Sequence, residues 1–271
     1  ELKDQNRQLE QSRKELTELA YHDYLTNLPN RLSLKEYLDR ALMTAGSPRY
    51  ALFFIDTDNF KYINDSLGHS AGDQLLVMIG NRLKENIMNN GMLFRFGGDE
   101  FIIINRDMTE EEVKNQADAL INAFKKPFEL NFSVLHISIS IGITTYPEAG
   151  TGADDLIRSG DIAMYHAKAR GKGQYALFSQ YMDYVIRERL SIENHLRIAL
   201  ERHEFLLYYQ PQIEIATGAI CGFEALIRWA SPEMGFVMPN SFIPVAEETQ
   251  LIIPIGRWAL QEACAFAKEL Q

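Results

Sequence analysis

Three apolar runs that border acidic residues or the turn that carries them limit what this chain can fold into more than any other feature. Ala51 to Ile55 is an unbroken apolar stretch, the pattern of a strand buried on both faces, and it runs directly into Asp56. Further along, Met92 to Phe96 and Phe101 to Ile104 flank Gly97-Gly98, which predicts a hairpin whose turn carries Asp99 and Glu100. Carboxylates from separate strands then meet at one edge of a sheet. Hard divalent cations take oxygen ligands, keep several waters and bind through one or two carboxylates plus a substrate's phosphates, so this edge predicts a magnesium site. Two such ions about 4 Å apart can activate an attacking hydroxyl and stabilise a leaving oxygen. Taken singly, each acid reads as a solvated loop carboxylate, and Gly97-Gly98 as a plain hairpin.

Around these runs the pattern alternates between strands and helices. Ser33 with Glu36, and Thr109 with Glu112, read as capping boxes that start helices near residues 34 and 110. Leu75, Leu76, Ile79, Leu83 and Ile87 fall on one helical face, as do Val113, Ala117, Leu120, Ile121 and Phe124, so both helices are expected to lie against a sheet. Val134 to Thr145 predicts one strand, Asp155 to Ala169 a helix and Tyr175 to Phe178 a closing strand. This order suits an α+β layer. Gly160 falls inside the predicted helix, where it costs about 1 kcal/mol relative to alanine, and the sequence offers no reason for it.

A break near residue 180 separates a second domain, with a helix over 180 to 202, strand-like runs at 205 to 210 and 219 to 229, and helices near 241 and 255. At the other end, Leu2, Leu9 and Leu16 recur every seven residues with Leu19 added. Residues 1 to 20 therefore read as a coiled-coil connector or, equally, as a solvated helix with incidental leucines. The predicted layout is a connector over 1 to 20, a first domain over 21 to 179 and a fragment of another over 180 to 271.

Charge narrows the partners. With 27 Lys and Arg against 37 Asp and Glu, the net charge is -10, and no broad basic surface for nucleic acid or anionic membrane is expected. An acidic protein that handles phosphates needs metal ions as intermediaries. Cys221 and Cys264 read as two core thiols in a reducing compartment. No apolar run approaches the roughly 20 residues of a membrane span, so this piece reads as cytoplasmic. It opens at Glu1 and stops at Gln271 inside a helical pattern, and is expected to be cut from a longer protein that carries an upstream sensor or membrane anchor.

The stretch Asp56-Thr57-Asp58-Asn59-Phe60-Lys61-Tyr62-Ile63-Asn64-Asp65-Ser66-Leu67-Gly68-His69-Ser70-Ala71-Gly72-Asp73, followed by Arg95-Phe96-Gly97-Gly98-Asp99-Glu100-Phe101, resembles the GGDEF diguanylate cyclase family over roughly residues 20 to 178. Asp23-Tyr24-Leu25-Thr26-Asn27-Leu28-Pro29-Asn30-Arg31 is similar to that family's opening motif. Ser140-Ile141-Gly142 and Asp161-Ile162-Ala163-Met164-Tyr165-His166-Ala167-Lys168 are similar to its closing ones. The resemblance implies a palm-like nucleotide cyclase fold, an antiparallel sheet with packed helices. It implies an enzyme that joins two GTP into cyclic di-GMP with magnesium or manganese, as a homodimer.

By the same resemblance Asp56 and Asp99 bind metal with the Thr57 carbonyl, and Glu100 binds metal or activates the 3′-hydroxyl. Asn64 and Asp73 read guanine, and the chemistry agrees, since a carboxylate accepts from guanine N1–H and N2–H. Gly97 and Gly98 let backbone approach the phosphates. Lys61, Lys168 and Lys172 contact phosphates, although Lys168 and Lys172 read equally as a helix end favoured by the macrodipole. His69 stands either with the guanine readers or as a helix-start residue. The family's product-inhibition motif, Arg-x-x-Asp, is replaced here by Met88-Asn89-Asn90-Gly91, so inhibition by product through that site is not expected.

Gln210-Pro211, Glu224-Ala225-Leu226-Ile227-Arg228-Trp229, Pro239, Phe242-Ile243-Pro244 and Ala246-Glu247-Glu248 resemble the start of the EAL family of cyclic di-GMP phosphodiesterases, built on a TIM-like barrel. Glu224 then corresponds to a metal ligand, with Gln210 and Arg228 toward the substrate. A barrel of about 250 residues cannot close in what remains of this chain, so hydrolysis of cyclic di-GMP is not expected from it. The alternative to a cyclase is a GTP-sensing module that regulates the phosphodiesterase of a longer parent protein.

Overall fold

Every residue of strand β1 (Tyr50–Thr57) is buried, because helices cover both faces of the sheet it centres. The structure is a computed structural model that describes residues 18–43, 49–88, 91–130 and 133–270. The first seventeen residues, and with them Leu2, Leu9 and Leu16 of the leucine seam, lie outside the described residues, as do Asn89 and Asn90. Contacts divide the chain into two units, Glu1–Asp183 and Tyr184–Gln271.

In the first unit the sheet runs β2–β3–β1–β6–β7, with β2 at Met92–Gly97, β3 at Glu100–Arg106, β6 at Ile139–Tyr146 and β7 at Tyr175–Leu177. A separate ribbon pairs β4 (Phe128–Leu130) with β5 (Ser133–Leu135). The helices are α1 (Arg31–Leu42), α2 (Phe60–Leu67), α3 (His69–Glu85), α4 (Glu110–Phe124) and α5 (Ala153–Ala169). Side chains of β1 alternate between two cores. Ala51, Phe53 and Ile55 pack with Leu75, Leu76 and Ile79 of α3 and with Val113, Ala117 and Leu120 of α4. Tyr50, Leu52 and Phe54 pack with Leu34 and Leu38 of α1 and with Leu156 and Met164 of α5. Each fully buried Phe or Leu contributes about 1.5–3 kcal/mol, so these two layers hold the strand from both sides.

Several expectations need correction. Helix α1 starts three residues before the position read from Ser33 and Glu36: its N-cap is Asn30, whose side chain accepts from the backbone N–H of Leu32 and Ser33. Ser33 instead donates to the Tyr21 carbonyl at 2.5 Å, and Glu36 accepts from Tyr21 Oη at 2.7 Å. The Thr109–Glu112 capping box is present as read. Val134 to Thr145 is not one strand, because β5 ends at Leu135 and β6 begins at Ile139. The sheet is antiparallel from β2 through β6, but β6 pairs with β7 in parallel across the connection made by α5. β4, at three residues, and α2, at eight, are too short for a periodic pattern to mark them in the sequence.

Gly160 acquires its reason here. A Cβ at Gly160 would lie 2.8 Å from Leu52 Cδ2, and one at Gly142 of β6 would lie 1.9 Å from the Gly160 carbonyl oxygen and 2.2 Å from the Met164 nitrogen. Two glycines thus let α5 rest backbone to backbone on the sheet.

The second unit holds the helix Gln180–Ala199 (α6), whose first turn belongs to the first unit, and a three-stranded antiparallel sheet. Its strands are β8 (Phe205–Ile213), β9 (Ile220–Ser231) and β10 (Gly235–Val237). Helices α7 (Pro239–Glu248) and α8 (Ile252–Glu269) follow. Its core is Trp229, Phe205 and Phe242 with Ile192 and Leu196, and Trp229 Nε1 donates to Glu204 at 2.8 Å. Both cysteines are exposed, which corrects their reading as core thiols. No helix among the described residues is long and apolar enough to cross a membrane.

Candidate functional site

Strand register places the acids. Asp56 is the cross-strand partner of Glu100 on one side and of Ser140 on the other, so the last turn of the hairpin and the end of β1 share one edge of the sheet. Opposed residues on paired strands bring their Cβ atoms to about 5 Å, and like charges there repel. Burial pushes the Asp99 carboxyl up, and repulsion from Asp56 adds to it, to about 6. Glu100 is raised by burial and then by Asp56, Asp161 and Asp99. Asp56 is raised by burial against the opposing pull of Lys168, whose Nζ lies 2.5 Å from Asp56 Oδ1.

Asp161, two helical turns before Lys168 on α5, faces the same acids and is itself raised by burial. Its part in this cluster was not read from the sequence, although its seven-residue spacing to Lys168 puts both on one face of the helix.

The hairpin turn is fixed from behind. Arg95 is 8% exposed and donates from Nε and Nη2 to the Gly98 carbonyl at 3.2 and 2.7 Å, while its Nη1 pairs with Asp23 at 2.6 Å. Asp23 also accepts from the N–H and hydroxyl of Thr26 at 2.8 and 2.7 Å. Burial pushes Asp23 up, but these hydrogen bonds and the Arg95 charge outweigh it and hold the carboxyl below its ordinary range. Gly98 has φ +50, and a side chain at Gly97 or Gly98 would meet nothing within 4 Å. The backbone there is open to a ligand.

On the other side of Asp56, the chain turns through Asn59 (φ 61) into α2, which carries Lys61 and Asn64. Asn64 lies over Gly72 of α3: a Cβ on Gly72 would stand 1.9 Å from Asn64 Oδ1, and that oxygen is buried without a hydrogen-bond partner. Gly72 therefore makes the seat for Asn64, next to the exposed Asp73. His69 is the exposed first residue of α3, and Lys61 is exposed on α2. Lys172, in the turn after α5, has φ 62 and donates to Asn59 Oδ1 at 2.7 Å. At the departed product-inhibition motif, a Cβ on Gly91 would meet Asn105 Nδ2 at 2.6 Å, and the Met88 carbonyl accepts from Asn105 at 2.6 Å.

Among the described residues no group of three or more His, Cys, Asp or Glu side chains is arranged to hold a metal ion by itself. The donors nevertheless suit magnesium, which takes one or two carboxylates together with water and phosphate oxygens. Two carboxylates that burial and mutual repulsion have pushed upward are also the groups a divalent cation would relieve. In the second unit, Gln210 and Glu224 are cross-strand partners on β8 and β9, and Arg228 stacks over Tyr208 at 5.4 Å. Gln210 and Glu224 are exposed.

Residues 20–174 match the family described as diguanylate cyclase, GGDEF domain, and residues 193–271 match the EAL domain. The chain is 39% identical over 258 residues to the bifunctional diguanylate cyclase/cyclic di-GMP phosphodiesterase MucR of Pseudomonas aeruginosa, covering 94% of this chain and 38% of that protein. It is 36% identical over 242 residues to the cyclic di-GMP phosphodiesterase PdeR of Escherichia coli, covering 89% and 36%. The chain thus spans little more than a third of these relatives' length. Among solved structures, the GGDEF domain of YfiN (TpbB) from Pseudomonas aeruginosa is 36% identical with a TM-score of 0.58, covering 61% of this chain and 99% of that one. The coiled coil and GGDEF domain of DgcB from Caulobacter crescentus, in complex with c-di-GMP, is 25% identical with a TM-score of 0.56, covering 65% and 96%.

Proposed function

The chain belongs to the GGDEF family, with a partial EAL domain after it, and from that premise we propose that its first domain is a magnesium-dependent diguanylate cyclase. The observation that carries the reading is the register that sets Asp56 opposite Glu100 with Asp99 at the adjoining turn. A degenerate domain has no need to keep repelling acids together. Magnesium or manganese, held by Asp56, Asp99 and the Thr57 carbonyl, would supply positive charge to the triphosphate. Asn64 and Asp73 take the guanine edge, and the open backbone at Gly97 and Gly98 takes the phosphates.

In the reaction, the 3′-oxygen of one GTP bonds to the α-phosphorus of a second, the bond to the β-phosphate oxygen breaks, and pyrophosphate leaves. Glu100 receives the 3′-hydroxyl proton. Lys168 neutralises charge at the phosphates once it is released from Asp56. One set of these residues holds one GTP, so two domains must face each other and repeat the step to close the ring. Most of the acceleration comes from positioning and charge.

A second reading, a GTP-sensing module that regulates a phosphodiesterase, is favoured by the name of the PdeR relative. Incubating the chain with magnesium and GTP separates the two. Cyclic di-GMP is expected, and Asp99→Asn is expected to abolish it while circular dichroism stays unchanged. GTP binding without product establishes the sensor reading instead.

A further inference from the structure

We infer that Asp58, two residues beyond Asp56, is a positioning residue that holds Lys172 where the triphosphate of GTP has to lie. Asp58 is only 4% exposed and contributes no edge to the open site. Its carboxylate accepts from Ser140 Oγ at 2.7 Å on one oxygen, and from Ser138 Oγ at 2.6 Å and the Gly173 N–H at 2.9 Å on the other. Its own N–H donates to the Ser138 carbonyl at 3.0 Å. A buried carboxylate is tolerable only when its lone pairs are occupied in this way.

The four bonds join three segments that are remote in sequence: the end of β1, the start of β6 and the turn after α5. That turn runs through Gly171 (φ +121), Lys172 (φ 62) and Gly173 (φ +60), three consecutive residues on the positive side of φ. The two glycines adopt such φ values freely, but Lys172 carries a side chain in the left-handed region, a cost of about 1–2 kcal/mol that its surroundings have to offset. The Gly173 N–H bond to Asp58 is the tether, and Lys172 next to it reaches back to Asn59, the residue after Asp58, at 2.7 Å. The carboxylate therefore fixes the distance between the strand end bearing Asp56 and Thr57 and the ammonium of Lys172.

The inference rests on reading this edge as the GTP site. Its test is binding of 3′-deoxy-GTP, which lacks the attacking hydroxyl, against binding of GMP, which lacks the two outer phosphates, both with magnesium and followed by calorimetry. Asp58→Asn is expected to weaken 3′-deoxy-GTP about tenfold, the scale of one lost hydrogen bond to a charged group, and to leave GMP within twofold. Lys172→Ala is expected to do the same, and the double variant is expected to be no weaker than Lys172→Ala alone, since the two act through one ammonium. Ser140→Ala removes one of the four bonds and is expected to show the same selective loss at smaller size, which keeps the question answerable if Asp58→Asn folds poorly.

Equal losses for both ligands, or effects of Asp58→Asn and Lys172→Ala that add, would overturn the positioning role. A wild-type chain that binds neither ligand overturns the GTP-site reading itself, and this inference with it.

Discussion

At the scale of single residues, the acids at the sheet edge work against the fold that carries them. The Asp99 carboxyl stands at about 6 where an unfolded aspartate stands near 4. Between those pH values the folded chain keeps a proton that the unfolded chain has released, so stability falls as pH rises through this window and is lowest above it. Asp56 and Glu100 shift in the same direction, and the group titrates together. Thermal melts in EDTA are expected to show a higher midpoint at pH 5 than at pH 7, with Asp99→Asn flattening much of the difference. Asp23 acts with the opposite sign: its lowered carboxyl contributes stability above about pH 4 that disappears on further acidification. A midpoint that climbs steadily from pH 5 to 7 would contradict the assignment of repulsion to this edge. The acids themselves were legible because they sit in a contiguous motif. Asp58 and Arg95 lie in the same motifs, yet their roles were not, since what they bind is brought to them by β6, the turn after α5 and the segment around Asp23.

At the scale of elements, the two helical stripes and the buried strand were readable because their apolar periods are long and regular. The start of α1 was misread because a serine and a glutamate at capping-box spacing had nearer partners in Tyr21, and the residue that caps the helix is an asparagine. Gly160 looked like a defect because the reason for it lies in another element. Adding a methyl group there gains about 1 kcal/mol of helix propensity and sets it against the Leu52 side chain at 2.8 Å. Gly160→Ala is therefore expected to be mildly destabilising, by about 1 kcal/mol net of overpacking. Gly142→Ala meets backbone atoms of α5, which cannot turn aside, and is expected to cost about 3 kcal/mol or more and to displace Lys168 from Asp56. Urea unfolding of the two variants checks the ranking. Gly142→Ala with wild-type stability would mean that α5 does not rest on the sheet as described.

At the scale of the whole molecule, the symmetry of the product carries the remaining prediction. In the proposed reaction one set of Asp56, Asp99, Asn64 and Asp73 accommodates one GTP, so specific activity is expected to rise with protein concentration until dimers saturate. Removing residues 1 to 20 is expected to shift that rise to higher concentration without altering GTP binding. Specific activity that stays constant where sizing shows only monomer would rule out a shared site. The centre of the sheet has a different consequence, for biosynthesis. β1 is the earliest strand of the sheet to be made, and its partners β3 and β6 follow, the latter pairing Tyr146 with Tyr50. At about 5–20 residues per second, the ribbon from Tyr50 to Ile55 leaves the ribosome several seconds before β6 exists to cover its second edge. Through about the first half of that interval the strand, apolar on both faces, has neither neighbour, and through the rest it has β3 alone; contacts this distant in sequence form slowly even afterwards. Nascent chains of this domain are therefore expected to gain from a holding chaperone, and their yield should depend more on how fast they are made than on how stable they finally become.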